Sequence, residues 1–229
     1  MKLCIALDMP TFNENIVLAK KLKECDIWMK IGLRSFIRDG KNIIDELKNI
    51  NPNFKIFLDL KLYDIPNTMA DAAEVITSFG IDMFNVHASS GKRAMKMVVD
   101  RVKNFENPPL ILSVTALTSF SNDEFFYIYN EDIKTKAIKL ARDSYEVGID
   151  GVVCSVHESL NIKKRTSKEF ITLTPGIRPF HEDNDDQKRV ATIENAKEQK
   201  SNFIVVGRPI YNSSNPLDVT LKILEKCKV

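Results

Sequence analysis

Eight short apolar runs, rich in branched side chains, punctuate the chain: Leu3 to Leu7, Ile27 to Ile31, Lys55 to Leu60, Met83 to Val86, Leu110 to Val114, Gly151 to Cys154, Phe170 to Leu173 and Phe203 to Val206. Nearly continuous runs of this length read as strands buried on both faces, the pattern of a parallel sheet. Amphipathic helical patterns lie between them, such as Ile43, Ile44, Leu47 and Ile50, then Met69, Ala72, Ala73, Ile76 and Phe79, and near the end Leu217, Leu221 and Leu224. The alternation predicts an α/β fold, a (β/α)8 TIM barrel forming a single domain over residues 1–229, with a doubly wound open sheet as the alternative. No linker or low-complexity tract divides the chain. Its least patterned stretch, Ser119 to Asp132, still carries Phe125, Phe126 and Ile128.

Each run ends near something polar: Asp8, Lys30, Asp59 with Lys61, His87, Thr115, Ser155, Arg178 and Arg208. In a parallel barrel the carboxyl ends of the strands form the active-site face, and the loops after the last two strands commonly hold phosphate. Those loops here are Thr174-Pro175-Gly176-Ile177-Arg178 and Gly207-Arg208. A guanidinium fork matches phosphate oxygens, and Gly207 lets a backbone N–H come close. A phosphorylated substrate is the expectation.

The segment Asp59-Leu60-Lys61-Leu62-Tyr63-Asp64-Ile65-Pro66-Asn67-Thr68 follows directly on Ile56-Phe57-Leu58. Residues two apart on a strand share a face, so Asp59 and Lys61 are expected to point together. Two carboxylates around one ammonium shift proton affinities strongly, which suits proton transfer. Plainer readings stand beside this one. Asp59 and Lys61 also fit a buried ion pair, Lys30 a snorkelling side chain, Gly207-Arg208-Pro209 a surface turn, and His87 a hydrogen-bonded supporting residue.

Composition narrows the partners. With 33 basic and 31 acidic residues the net charge is +2, which leaves no field to draw nucleic acid or anionic lipid. Lys163-Lys164-Arg165 reads as a solvated helix end. No stretch reaches the ~18 apolar residues of a membrane span. Cys4, Cys25, Cys154 and Cys227 lie far apart and read as buried free thiols. Together these predict a cytoplasmic protein acting on a small molecule, with no nucleic-acid or membrane partner.

A set of motifs then carries a resemblance along the whole length: Ala6-Leu7-Asp8, Met29-Lys30-Ile31-Gly32, the segment from Asp59 to Thr68, Asn85-Val86-His87-Ala88-Ser89-Ser90-Gly91, Leu117-Thr118-Ser119, Thr174 to Pro179, Asp186-Gln187, and Val205 to Ile210. In this order they resemble the orotidine 5′-phosphate decarboxylase family, which makes UMP in de novo pyrimidine synthesis. The resemblance implies catalysis by Asp59, Lys61 and Asp64 with no metal or organic cofactor, Lys61 protonating C6 of the pyrimidine. It implies a homodimer in which Asp64, Ile65 and Thr68 reach the neighbouring subunit's site. Asp8 and Lys30 would contact ribose, Thr118 the pyrimidine edge, and Arg178, Arg208 and the Gly207 amide the phosphate. Gln187 would bridge base and phosphate and latch a loop from Gly176 to Arg189. Departures from the family pattern are Tyr63 where histidine is common, Ile193 and Lys200 in place of a proline and a glycine, and Arg34 and Ser35 after the second strand. Two rival functions remain: a magnesium-dependent sugar-phosphate decarboxylase or aldolase on the same barrel, and a non-catalytic nucleotide-binding barrel.

Overall fold

The computed structural model describes residues 1–180 and 189–228. Eight parallel strands close a barrel in sequence order: β1 (Lys2–Ala6), β2 (Trp28–Gly32), β3 (Lys55–Leu62), β4 (Met83–His87), β5 (Leu110–Val114), β6 (Gly151–Val153), β7 (Ile171–Thr174) and β8 (Phe203–Val206), with β8 returning to pair with β1. The helices are α1 (Phe12–Lys21), α2 (Leu33–Asp39), α3 (Asn42–Ile50), α4 (Pro66–Thr77), α5 (Gly91–Val102), α6 (Asn122–Tyr129), α7 (Ile133–Glu146), α8 (Val156–Arg165), α9 (Ile193–Glu198), α10 (Arg208–Tyr211) and α11 (Pro216–Cys227). The expected barrel is therefore present, and the open-sheet alternative falls because β1 and β8 are paired.

The two parities of each strand explain the continuous apolar runs. One set, including Cys4, Ala6, Trp28, Phe57, Met83, Leu112, Val114, Val153, Leu173, Phe203 and Val205, fills the barrel interior. The other, including Leu3, Ile5, Met29, Ile31, Ile56, Leu58, Phe84 and Val86, packs with helix residues such as Ile43, Leu47, Met69, Ala73 and Met95. Trp28 and Phe203 meet edge to face with ring centroids 5.1 Å apart, and the Lys2 ammonium lies over both rings. Counting two residues further along the interior parity changes the chemistry: Trp28 gives way to Lys30, Phe57 to Asp59, Met83 to Asn85 and Ala6 to Asp8. The polar layer sits on an apolar plug, as in other barrels with a packed interior.

Several local expectations need correction. Lys163 is not a solvated helix end. It is buried, and its ammonium donates to the carbonyls of Lys168 at 3.1 Å and Phe170 at 2.8 Å and to Asn202 Oδ1 at 2.8 Å. A lysine stem can follow an apolar surface inward when backbone carbonyls receive its head. The weakly patterned stretch 119–132 contains α6, started by a capping box between Ser121 and Glu124 and ended by Asn130 in the left-handed region at φ 49°. Thr115 and Ser155 serve the scaffold: the first bonds the Val153 carbonyl, and the second caps α8. Cys4, Cys154 and Cys227 are buried free thiols, whereas Cys25 is only half-buried. Burial pushes the Cys154 thiol up to about 12, which leaves it a packing group rather than a nucleophile.

Lys200 shows what its departure from glycine costs. The Lys200 N–H bonds the Lys197 carbonyl at 2.9 Å and the Ser201 N–H bonds the Ala196 carbonyl at 2.9 Å, a Schellman cap with Lys200 at φ 58°. A side chain in that conformation costs ~1–2 kcal/mol, while glycine returns ~0.5–1 kcal/mol in chain entropy. Lys200→Gly should therefore raise Tm by about 2–4 °C in calorimetry. An unchanged or lowered Tm would show that the Lys200 side chain offsets its backbone.

Candidate active site

The carboxyl ends of the strands surround a cavity of about 510 Å³. Asp8, Lys30, Asp59, Lys61, Thr118, Arg178, Gly207 and Arg208 all line it. Asp8 follows β1, Lys30 is on β2, Asp59 and Lys61 are on β3, Thr118 follows β5, Arg178 follows β7, and Gly207 and Arg208 follow β8. Four charges form a chain across one rim. The Lys30 ammonium donates to both Asp8 oxygens, at 3.2 and 3.3 Å, and lies 3.5 Å from Asp59 Oδ2. Asp59 Oδ1 accepts from the Lys61 ammonium at 2.6 Å and from Asn85 Nδ2 at 2.7 Å. The acids and bases alternate, and Asp59 is the member shared by both ammoniums.

Backbone geometry makes the array possible. Gly32 ends β2, and a Cβ there would lie 2.9 Å from Asp8 Oδ1 and 3.1 Å from Lys30 Nζ, so any side chain would push on the ends of that ion pair. Asp59 and Lys61 do meet, but not by simple alternation along a regular strand. Lys61 has φ 55°, and the ladder to β4 slips between Leu58 and Leu62. Such strained backbone costs ~1–3 kcal/mol and persists where its surroundings over-determine it. A Cβ on Gly207 would lie 3.3 Å from Ala6 Cβ and from Tyr211 Cε1, and Gly207 precedes α10. Beyond β7, Arg178 N bonds the Ala191 carbonyl at 2.9 Å and Ala191 N the Gly176 carbonyl at 3.1 Å. Arg189 adds an ion pair to the buried Glu158, and its N–H reaches the Thr118 carbonyl at 3.2 Å.

Comparison with known proteins places this geometry. Residues 1–223 match the model of the Orotidine 5′-phosphate decarboxylase / HUMPS family. The chain belongs to that family. A relative named orotidine 5′-phosphate decarboxylase from a Nitratiruptor species is 63% identical over 224 residues, covering 98% of this chain and 99% of its own. One of the same name from Sulfurimonas denitrificans is 61% identical over 226 residues, covering 99% and 100%. The crystal structure of orotidine 5′-phosphate decarboxylase from Lactobacillus acidophilus superposes with a TM-score of 0.86 at 32% identity, covering 100% of this chain and 99% of that one.

Not every residue expected of a decarboxylase-family site lines the cavity. Asp64, Ile65 and Thr68 are exposed just beyond β3 and at the start of α4, with Asp64 Oδ1 accepting from the Ile65 N–H at 2.7 Å. Gln187 lies outside the described residues. His87 supports from the side: its Nδ1 accepts from the Ser89 N–H, its ring stacks on Tyr63, and burial with the nearby Lys61 charge holds its pKa below the ordinary value. Asn85 was given no role of its own from the sequence, although a carboxamide amid Met83, Phe84 and Val86, on the same parity as Met83, was a readable signal.

The charges stabilise one another. Burial pushes the Asp59 carboxyl upward, but Lys30 and then Lys61 outweigh it and hold the group below the usual carboxylate range. Burial pulls the Lys30 ammonium down, but Asp59 and Asp8 outweigh that and hold it above its ordinary value. The stability from Asp59 is fully present above its unfolded pKa and is lost as pH falls through the depressed folded value. That from Lys30 is present below its unfolded pKa and lost as pH rises through the raised one. Both contributions are intact at neutral pH. Lys30→Ala removes the larger of the two charges holding Asp59 down, so a carbon-13 titration of aspartate carboxyls should show Asp59 ionising at higher pH. An unmoved Asp59 would contradict this electrostatic account.

Proposed function

We propose that the chain is a carboxy-lyase converting orotidine 5′-phosphate to UMP and CO2 in de novo pyrimidine synthesis, and that residues 1–229 act as one barrel domain with no metal or organic cofactor. The observation that carries the mechanism is the Lys61–Asp59 contact of 2.6 Å, backed by Lys30, in one cavity with Arg178, Gly207 and Arg208. The guanidiniums and the Gly207 amide take the phosphate, Asp8 and Lys30 the ribose hydroxyls, and Thr118 the pyrimidine edge. That pose directs the C6 carboxylate toward Asp59. The C6–carboxylate bond breaks, CO2 leaves, and its electron pair stays on C6 beside the Lys61 ammonium. Lys61 stabilises this charge and transfers a proton to C6; the neutral amine then regains a proton from solvent. Asp59 holds Lys61 in place and repels the departing carboxylate before it leaves. Phosphate lies far from C6, so its binding energy is available to close the loop from Gly176 to Arg189, with Gln187 bridging base and phosphate.

The working form in this reading is a homodimer. Ile65 is 67% exposed and Tyr63 63%, and an apolar pair so placed beside Asp64 suits burial against a second copy, where Asp64, Ile65 and Thr68 complete the neighbouring cavity. Among the described residues no helix is long and apolar enough to cross a membrane, and the free thiols suit a reducing cytoplasm. Lys30 opposes the magnesium-dependent reading, because an ammonium at that strand end cannot coordinate a hard cation.

Lys61→Ala should abolish decarboxylation while retaining UMP binding, and Arg208→Ala should mainly weaken UMP binding. Retained turnover in Lys61→Ala would remove its role as proton donor. Separately, Lys61→Ala and Asp64→Ala chains, each inactive alone, should on mixing recover about a quarter of wild-type activity, since half the dimers then hold one intact shared site. No recovery after confirmed subunit exchange would contradict the shared site.

A further inference from the structure

Along β3 and β4 the pairing of Leu58 with Phe84 is followed by that of Leu62 with Val86. Asp59, Leu60 and Lys61 therefore stand opposite a single residue, Asn85. The surplus backbone is absorbed where Lys61 takes φ 55°, and the regular ladder has nothing to offer the Lys61 N–H there. Asn85 supplies the missing partner. Its Oδ1 accepts from Lys61 N at 2.7 Å while its Nδ2 donates to Asp59 Oδ1 at 2.7 Å. The residue is fully buried and does not line the cavity, so it reaches substrate only through these two neighbours. The double contact requires a donor and an acceptor on one short planar group. Aspartate as an anion has no donor, leucine of similar shape has neither, and alanine leaves a buried N–H unmet.

We propose that Asn85 is a positioning residue for decarboxylation: its carboxamide locks the left-handed backbone at Lys61 and holds the Asp59 carboxylate against the Lys61 ammonium, thereby fixing the point from which the proton is delivered. This rests on the decarboxylase reading, which wild-type turnover tests independently. Asn85 belongs to the reaction through Lys61 and Asp59, and its effect falls on kcat rather than on holding the phosphate or ribose.

Asn85→Ala and Asn85→Asp, assayed beside wild type, test the inference. In Asn85→Ala, kcat should fall about 100-fold, the loss expected when a reacting group shifts by an ångström, with UMP affinity nearly unchanged. Its crystal structure should show Lys61 out of the left-handed region and its ammonium away from Asp59. Asn85→Asp keeps the volume and discriminates further, because the neutral acid again offers one donor and one acceptor. Its kcat should rise toward wild type as pH is lowered, whereas the wild-type profile measured alongside does not. Near-normal kcat in Asn85→Ala, an unmoved Lys61, or loss of UMP affinity in step with kcat would overturn the proposal. Should the alanine variant fail to fold, an Asn85→Asp profile parallel to wild type would overturn it equally. If wild type itself failed to decarboxylate, the functional reading would fall, while the Lys61 conformation in the variant would still decide whether Asn85 sets it.

Discussion

One carboxylate governs this site. Asp59 sits on the inward parity of β3 between two ammoniums, Lys30 at 3.5 Å and Lys61 at 2.6 Å, and its side chain is only 14% exposed. A buried charge without partners is too costly to keep, so each neighbour of Asp59 is constrained in turn. Lys30 is flanked by Asp8, and the absence of a side chain at Gly32 lets that pair close unobstructed. Lys61 must turn back on a left-handed backbone, and Asn85 must meet both its N–H and the Asp59 oxygen. The site is a linked set of satisfied charges whose geometry tolerates few substitutions.

The barrel gives that set its rigidity. Apolar residues fill the interior as far as Ala6, Trp28, Phe57 and Met83, and the polar layer of Asp8, Lys30, Asp59 and Asn85 begins immediately above them. The floor excludes water on one side, which strengthens every interaction in the layer, while the loops after β7 and β8 present Arg178, Gly207 and Arg208 to the same cavity. The Lys61–Asp59 pair and the two guanidiniums thus hang from different strands of one closed sheet. In the proposed reaction, remote binding of the phosphate would help to position the ring over Lys61.

Much of this was legible in the chain because parallel strands write continuous apolar runs, and because a charge directly after such a run has few structural reasons to be there. All eight strands fall within a residue or two of their expected bounds. What escaped the sequence depends on pairing rather than pattern. The slip between β3 and β4, the conformation of Lys61 and the role of Asn85 appear only once two strands are laid side by side. Lys163 misled because a basic run looks solvated until its ammonium is seen bonded to three acceptors of the scaffold. Asp64, Ile65 and Thr68 are exposed and lie outside this chain's own cavity, so their expected part in the site cannot be read from one copy of the chain.

The most direct test follows the ultraviolet absorbance of orotidine 5′-phosphate mixed with purified, EDTA-treated protein. The account predicts conversion to UMP at a rate that EDTA leaves unchanged. Activity lost to EDTA and restored by Mg²⁺ would contradict proton delivery by Lys61 as the whole of the catalysis, and tight UMP binding without turnover would make the barrel a binder.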